Sequence, residues 1–306
     1  MKRTKKKRIA SKDISLLLIT LPALIYFFIN NYIPMFGIFI AFKNIDFSKG
    51  IFMSDWCGFK NFEFLFKTKD AWIMTRNTIL YNLVFIIIGT ILSIVLAILI
   101  CEISGKITSK FFQGALILPN LISIIIVSYI VYAFLNADSG LVNHMLEAAG
   151  KDSVSWYMSS KYWPYIICIV YIWKNVGYNS IVYVAAISGI DKSVYEAAGI
   201  DGAGKIKQIV SITIPMIIPT VTMMTLLSIG RIMASDFGLF YQVPMNSGAL
   251  YATTQTIDTY VYRALMQMQD FGMSSAAGLY QSVVGFALVM ISNYIVKRKS
   301  AENALF

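Results

Sequence analysis

The sequence predicts an all-α polytopic membrane protein, and three observations support that fold class. Hydrophobic residues make up 57% of the 306 residues, charged residues make up only 14%, and the mean hydropathy is +0.66. Soluble domains carry about 25% charged residues, so a water-soluble globule is excluded. The apolar residues also fall in six long runs, most of them longer than 20 residues. A bilayer-spanning helix needs runs of that length, whereas a buried strand is much shorter.

The six apolar runs are the predicted membrane spans, and an even number of spans puts both termini on the same side. The spans are placed at residues 16–42, 78–101, 111–136, 162–190, 211–236 and 275–296. They form a membrane domain of residues 16–296, flanked by a basic tail of residues 1–15 and a second tail of residues 297–306. The first run is longer than a signal peptide and lacks a cleavage site, so we expect an uncleaved span.

The distribution of Lys and Arg predicts that both termini are cytoplasmic. The segments that would face the cytoplasm hold 15 Lys or Arg in 54 residues, and the outer segments hold 9 in 98. Such a contrast follows the positive-inside rule, so the net charge of +10 indicates membrane orientation and not nucleic-acid binding. Two further cations, Lys174 and Arg231, lie inside predicted spans. Arg231 is close enough to the outer end of its span to reach the headgroup region as readily as a substrate.

Several kinds of chemistry are excluded by the residues available. The three cysteines show no CxxC spacing, and His144 is the single histidine. A disulfide framework, a metal site and a histidine-based catalytic triad are therefore not expected. A membrane enzyme acting on lipid or glycan would need a cluster of carboxylates or histidines, which the spans lack. We expect a protein that is not an enzyme and binds no cofactor itself.

The predicted outer segments contain further helical patterns. Residues 58–67 and 140–150 place apolar residues at helical spacing and are bounded by glycine, which predicts two short amphipathic helices. The last outer segment, residues 237–274, is rich in aromatic and long side chains. Such a composition suits a surface that contacts a protein or ligand, or an aromatic belt at the membrane interface.

The most specific stretch is the loop between the fourth and fifth spans, where residues 196–215 read EAAGIDGAGKIKQIVSITIP. This stretch fits the spacing E-A-A, three residues, Gly, nine residues, Ile-x-apolar-Pro. The residues at the defined positions are Glu196, Ala197, Ala198, Gly202, Ile212, Ile214 and Pro215. The pattern resembles the EAA loop of binding-protein-dependent ABC importer permeases.

A physical reason can be given for the residue type at each defined position of this loop. Ser193 is the expected N-cap of a helical turn, with Glu196 completing a capping box. The two alanines leave a smooth surface that the cleft of another protein can approach closely. Gly202 permits a sharp turn through a positive φ. Pro215 is expected near the start of the next span, where the absence of its N–H costs little.

Two other stretches resemble functional motifs without matching them fully. Residues 147–150 also read EAAG, but Ser153 stands where the motif requires Gly, and the segment is predicted to be outside. Residues 199–206 match a phosphate-binding loop except at Ile206, which offers no hydroxyl to magnesium. No nucleotide site is predicted in this chain, so ATP and Mg are expected in a partner ATPase.

Further segments resemble the oligosaccharide and polysaccharide branch of the carbohydrate ABC permeases. These segments are residues 21–46, 173–191, 235–244 and 256–265, in the same order as in that branch. The resemblance implies six transmembrane helices of the type I ABC importer permease fold with a cytoplasmic coupling helix in the loop 191–215. The ATPase-coupling residues that it implies are Glu196, Ala197, Ala198, Gly199, Asp201, Gly202, Ala203 and Pro215.

The resemblance also implies partners and a location. The partners would be a second homologous permease forming a heterodimer, two ATP-binding subunits, an extracellular sugar-binding lipoprotein and an oligosaccharide. The location would be the bacterial cytoplasmic membrane. A permease for a non-sugar solute and a single-chain secondary transporter remain as alternatives, although the EAA loop and the half-sized architecture disfavour the latter.

A polar stripe on the fourth span is the candidate substrate path. Tyr171, Lys174, Asn175 and Tyr178 recur at helical spacing, with Asn179 beside them. Polar residues inside a membrane usually face protein or a water-filled cavity, and rings with amides suit a carbohydrate. Lys174 and Asn175 could instead hydrogen-bond between helices without touching sugar, and Asn82 and Asn120 carry the same two interpretations.

Overall fold

The computed structural model describes residues 11–299, and the remainder of the two predicted tails lies outside the described residues. Helices dominate this part of the chain. We label those of six or more residues α1 Ser11–Phe27, α2 Lys69–Glu102, α3 Lys106–Leu121, α4 Ile124–Leu135, α5 Leu141–Ala148, α6 Trp163–Ser188, α7 Lys192–Ile200, α8 Ile214–Ile229, α9 Phe237–Gln242, α10 Ile257–Met266 and α11 Phe271–Lys299.

Shorter elements connect these helices. Short α-helical turns lie at Ile33–Met35, Gly50–Met53, Glu63–Lys67, Lys205–Gln208 and Tyr251–Thr254. Tighter 3₁₀ turns lie at Phe36–Phe42, Lys60–Phe62, Trp156–Met158, Ser160–Tyr162 and Gly248–Leu250. Wider π turns lie at Phe28–Tyr32 and Ile209–Thr213. The two strands, β1 Lys43–Asn44 and β2 Asp55–Trp56, pair antiparallel. Both short helices expected in 58–67 and 140–150 are confirmed.

Within residues 11–299, four helical stretches are long and apolar enough to cross a membrane. They are Leu16–Phe42, Lys69–Glu102, Lys205–Ile229 and Phe271–Arg298, and a bent pair formed by α3 and α4 would add a fifth. The 26-residue helix α6 is not among them, because Lys174, Asn175 and Asn179 lower its mean hydropathy. The expected helical membrane fold is confirmed, whereas the number of six spans stays a prediction.

The third predicted span, residues 111–136, is broken into two helices in the structure. Helices α3 and α4 meet at an angle of 89°. Pro119 removes a backbone donor in the last turn of α3, and Ile122 and Ser123 take extended conformations. The result is a set of carbonyl groups at the end of α3 that lack helical partners.

The first span also departs from a regular helix. After α1, the chain passes through the π turn Phe28–Tyr32 and the 3₁₀ turn Phe36–Phe42. The amides of Asn30 and Asn31 donate to carbonyls four residues earlier, at 2.9 and 3.1 Å. Such back-bonding competes with the regular helix ladder. The most apolar part of this span has no buried residue.

The centre of the fold is the long packing of α2 against α6, with α3 and α8 beside them. Gly177 in α6 makes the approach to α3 possible, because a Cβ at this position would lie only 2.0 Å from the carbonyl oxygen of Leu116. Three clusters of buried apolar side chains surround this pair. One, which includes Ala97, Ile187 and Ile217, joins the ends of α2 and α6 to the start of α8.

Candidate functional site

The first candidate site is an open cavity of about 370 Å³ bounded by α2, α6, α8 and the segment after α8. Its polar lining residues are Asn82, Thr90, Ser93, Asn179, Ser228, Arg231, Ser235 and Asp236, and its aromatic ones are Phe85, Tyr171 and Tyr183. The cavity therefore combines amide, hydroxyl, charged and ring surfaces between predicted spans. Hydrogen-bonding groups mixed with flat rings can hold a polyhydroxylated solute.

The aromatic part of the cavity wall is fixed by packing. The rings of Phe85 and Tyr171 stack with their centroids 3.7 Å apart and their planes 5° from parallel. Gly89 leaves room for this pair, since a Cβ there would lie 3.7 Å from the Tyr171 ring. Phe85 is buried, whereas Tyr171 is half-buried and reaches the cavity. The stacked pair presents a rigid ring to whatever enters.

The segment after α8 is held at the cavity by two side chains. The amide of Asn82 donates to the carbonyls of Ile232 and Ala234, at 3.0 and 3.1 Å. The carboxylate of Asp258 accepts the backbone N–H and the hydroxyl of Ser235, at 2.6 and 2.8 Å. Three of these bonds satisfy backbone groups of residues 232–235, which lie beyond the end of α8 and have no helical partners. Asn82 thus lines the cavity and also positions its wall.

The predicted polar stripe on α6 divides into two groups. Tyr171 and Asn179 line the cavity, as does Asn82 on α2. Lys174, Asn175, Asn120 and Tyr178 are not among its lining residues. Tyr178 is 54% exposed on the surface of the described chain.

Lys174, Asn175 and Asn120 join α6 to the break between α3 and α4. The ammonium of Lys174 donates to the carbonyls of Pro119, Asn120 and Ile122, and the Asn120 contact is 3.0 Å. The amide of Asn120 donates to Asn175 at 3.2 Å. A cation at the carbonyl end of a helix is favourable, and here it covers the carbonyls that the bend leaves free. These contacts favour the interhelical interpretation for all three residues.

Arg231, Ser235 and Asp236 line the cavity but were absent from the predicted path. Helix α8 ends at Ile229, so these residues follow the helix and do not lie within it. Asp236 caps α9 by accepting the N–H of Leu239 at 3.1 Å. The guanidinium of Arg231 has no ion-pair or hydrogen-bond partner within residues 11–299. A charge inside a predicted span was the signal for this residue.

The second candidate site is the loop around α7. Its N-cap is Asp191 and not the expected Ser193, because the carboxylate of Asp191 accepts the Ser193 N–H at 2.9 Å. Hydrogen bonds from Ser193 lower the pKa of Asp191. At the other end, Gly202 has a φ of +77°, which confirms the expected sharp turn. The N–H groups of Gly202 and Ala203 bond back to Gly199 and Ala198.

The predicted coupling residues form an exposed surface on this loop. Glu196, Ala197, Gly199, Asp201, Gly202 and Pro215 are exposed, and Ala198 and Ala203 are half-buried. Beside them, Ile200 and Ile206 are 88% and 80% exposed. Charged and apolar side chains displayed together on a short helix suit contact with another protein. Pro215 is the second residue of α8 and lies two residues after the π turn Ile209–Thr213, so the regular hydrogen-bond ladder is already interrupted where proline lacks an N–H.

Specific contacts tie the loop to the membrane helices. Lys205 forms an ion pair of 3.0 Å with Glu102 at the end of α2. The hydroxyl of Tyr195 in α7 bonds that of Thr213 at 2.9 Å, and the Tyr195 ring packs on the cluster around Ile187 and Ile217. These contacts join α7 and the turns that follow it to the end of α2 and the start of α8, and both of these helices line the cavity.

No group of three or more His, Cys, Asp or Glu suited to a metal occurs within residues 11–299. The three cysteines in this range are unpaired.

Comparison with known proteins places the chain in a family. The family described as "Binding-protein-dependent transport system inner membrane component" matches residues 70–301. The polygalacturonan/rhamnogalacturonan transport system permease protein YteP of Bacillus subtilis is 32% identical over 308 residues, covering 98% of this chain and 94% of that protein.

Solved structures agree with this result. A bacterial ABC transporter involved in the import of the acidic polysaccharide alginate superposes with a TM-score of 0.86 at 32% identity, covering 94% of this chain and 97% of the matched one. A bacterial alginate ABC transporter in complex with an alginate pentasaccharide-bound periplasmic protein superposes with a TM-score of 0.85 at 32% identity, covering 94% and 96%. This chain belongs to the family of binding-protein-dependent transport system inner membrane components, which are permease subunits of ABC importers.

Proposed function

We propose that this chain is the transmembrane permease subunit of an ATP-driven importer for oligosaccharides, and that the oligosaccharides are acidic. The observation that carries the proposal is the cavity lined by Tyr171, Asn179 and Arg231. Its position in a fold similar to that of the alginate importer supports a carbohydrate substrate. The name of the similar Bacillus subtilis permease, which refers to polygalacturonan, supports it as well.

The side chains of the cavity suit a sugar. The flat ring of Tyr171 can stack on the apolar face of a pyranose, and its own orientation is fixed by Phe85. The amide of Asn179 and the hydroxyl of Ser228 can exchange hydrogen bonds with sugar hydroxyls. A polar solute that loses water here therefore finds replacement partners.

The charges of the cavity favour an acidic sugar. Asp236 is engaged as the N-cap of α9, whereas Arg231 has no ion-pair partner within the described chain. A guanidinium binds a carboxylate with two parallel hydrogen bonds. Arg231 is thus the group that can distinguish a uronate from a neutral residue of the same size.

The other components of the proposed importer are partner proteins. Two ATP-binding subunits would dock on α7 and its neighbours Ile200 and Ile206, and these subunits would bind ATP and Mg. A second homologous permease would complete the path, and an extracellular sugar-binding lipoprotein would deliver the substrate. The chain would lie in the bacterial cytoplasmic membrane with both termini cytoplasmic, in agreement with its Lys and Arg distribution.

In this scheme α7 acts as a rigid coupling element. Its cap at Asp191 and its turn at Gly202 fix both ends of the helix. The Lys205–Glu102 ion pair and the Tyr195–Thr213 contact link it to α2 and α8. ATP-driven motion of the partner would then change the separation of the cavity walls.

The test is uptake by the assembled importer in cells, with a labelled oligogalacturonide and a neutral oligosaccharide of the same length. We expect uptake of the acidic sugar, and R231Q should reduce its rate about tenfold. The control R76Q removes an arginine whose side chain is bonded to Asn77 and Ala252 outside the cavity. Uptake of neither sugar would contradict the function, whereas equal effects of R231Q on both sugars would contradict the role of Arg231.

A further inference from the structure

A second, smaller cavity of about 280 Å³ lies in the predicted outer segments, between the start of α2, the turn Tyr251–Thr254 and α10. It shares no lining residue with the cavity described above. Two of its lining residues, Gln255 and Arg263, are 5% and 8% exposed, so both are more than nine-tenths buried. Polar groups buried to this degree normally have hydrogen-bond partners.

Each of these two residues has a buried nitrogen without a partner within the described chain. The atoms are Nε2 of Gln255 and Nη2 of Arg263. The other terminal nitrogen of Arg263 donates to Asn246 at 3.3 Å, and the guanidinium lies over the Tyr251 ring at 4.1 Å. The ring covers one face of the guanidinium, so the free donor is at its edge. Leaving such donors without partners is costly.

The chemistry of the cavity selects a carboxylate. Both free groups are donors only, and one carries a positive charge, so the ligand must offer acceptors and preferably a negative charge. Burial lowers the pKa of Arg263, but a guanidinium stays protonated at neutral pH. Among the side chains that the structure describes, no acidic group lies within ion-pair distance of Arg263, and the more distant Asp70 acts on it electrostatically.

The remaining walls indicate what carries the carboxylate. Ile73, Ala252, Ala264 and Met268 contribute apolar surface. Tyr251, Tyr260 and Gln267 add polar atoms to the lining, so the position of the cavity decides between a uronate and a protein side chain. It lies in the predicted outer segments and shares no lining residue with the cavity assigned to the sugar. A carboxylate on a short aliphatic stem, as in an aspartate or glutamate side chain, meets both the donors and the apolar walls.

We propose that this cavity receives an aspartate or glutamate side chain of the extracellular binding protein, with Arg263 and Gln255 as its partners. The inference rests on the proposed function, because it requires a binding protein that docks on the outer face. Asp70 lines the same cavity and is exposed. Its charge repels the incoming carboxylate and keeps the association reversible.

The first experiment uses the complete importer in nanodiscs with the binding protein that stimulates its ATPase. R263Q should raise the half-saturating concentration of binding protein about 30-fold with the maximal ATPase rate unchanged. Q255M should raise it about fivefold, and D70N should lower it. R76Q is the matched control, because it removes an outer arginine whose side chain is already bonded. Unchanged half-saturation in R263Q and Q255M would overturn the proposal.

The second experiment identifies the partner. In R263K, a carbodiimide should couple the new amine to one Asp or Glu of the binding protein, and the linked peptide is identified by mass spectrometry. R76K should give no such product. Coupling of R263K to free oligogalacturonide in the absence of binding protein would overturn the assignment, since the carboxylate would then belong to the glycan. If no binding protein stimulates the wild-type importer, the proposed function fails as well.

Discussion

The loop around α7 and the cavity between α2, α6 and α8 hold the two sets of candidate residues, and they are built in different ways. The loop residues lie within 25 consecutive positions, 191–215, and local contacts set their conformation. The cavity residues come from α2, α6, α8 and the segment that follows α8. Function in the loop therefore depends on local backbone geometry, whereas function in the cavity depends on where separate helices end and bend.

This difference explains which features of the two sites could be predicted from the sequence. The glycine and alanine spacing of the loop predicted its exposed helix and the positive φ of Gly202, and only the N-cap was misplaced by two residues. In the cavity, helical spacing correctly identified a polar stripe on α6. It could not separate Tyr171, which reaches the cavity, from Lys174, which covers the end of α3, because that separation depends on the 89° bend between α3 and α4.

The fold, too, could be predicted where it depends on local sequence and not where it depends on helix ends and bends. Apolar runs predicted where helices lie, because burial in lipid requires length and composition alone. Breaks inside those runs were missed at Pro119 and after Phe27. For Arg231 the sequence left a position in the headgroup region and contact with a substrate both open, because α8 ends at Ile229, earlier than the apolar run suggested.

The largest effect is expected from G202E in the loop. A side chain at a φ of +77° costs about 1–2 kcal/mol, and a bulky acid also obstructs a docking partner. We expect loss of nearly all transport-linked ATP hydrolysis, measured in the reconstituted importer with assembly assayed separately. The control is G204A, since Gly204 is nearby and has an ordinary φ of −66°. Transport-linked hydrolysis retained in G202E would contradict the role of the turn.

A loss of thermal stability is expected from K174M. The variant leaves three carbonyls at the end of α3 without their cation, and hydrogen bonds to charged groups stabilise by about 1.5–3 kcal/mol. The thermal unfolding midpoint should fall by about 5 °C, while the molecules that assemble should keep their sugar affinity. The control K161M removes an exposed lysine near the start of α6. A normal midpoint with weakened sugar uptake would instead place Lys174 in the path.

A smaller effect is expected from Y171A, which tests whether the polar stripe on α6 divides into residues that line the cavity and residues that do not. Y171A removes the ring that faces the cavity, and aromatic stacking contributes about 0.5–1.5 kcal/mol, so the uptake rate should fall up to about tenfold. Y171F should keep most of the rate because the ring remains. Y178A is the matched control, since Tyr178 lies on the same helix without lining the cavity. Equal losses in Y171A and Y178A would refute the division.

The smallest effect is expected from D191A, which removes the N-cap of α7. Because the pKa of Asp191 is lowered on folding, its stabilising contribution is complete above the usual pKa and is lost only as the pH falls through the lower, folded value. Coupling should therefore weaken about twofold at neutral pH, and the D191N variant, which keeps a capping side chain, should recover it. ATPase stimulation at neutral pH measures both, and a loss as large as that of G202E would contradict this ranking.

The central claim is that α7 couples the chain to ATP hydrolysis while the cavity contacts the sugar. The most direct measurement is the ATP hydrolysis rate and the sugar uptake rate of one reconstituted importer preparation, compared for G202E and Y171A. We expect G202E to lose both activities, whereas Y171A should lose up to about tenfold of its uptake rate and retain hydrolysis stimulated by the binding protein. Retained coupling in G202E, or normal uptake in Y171A, would contradict this claim.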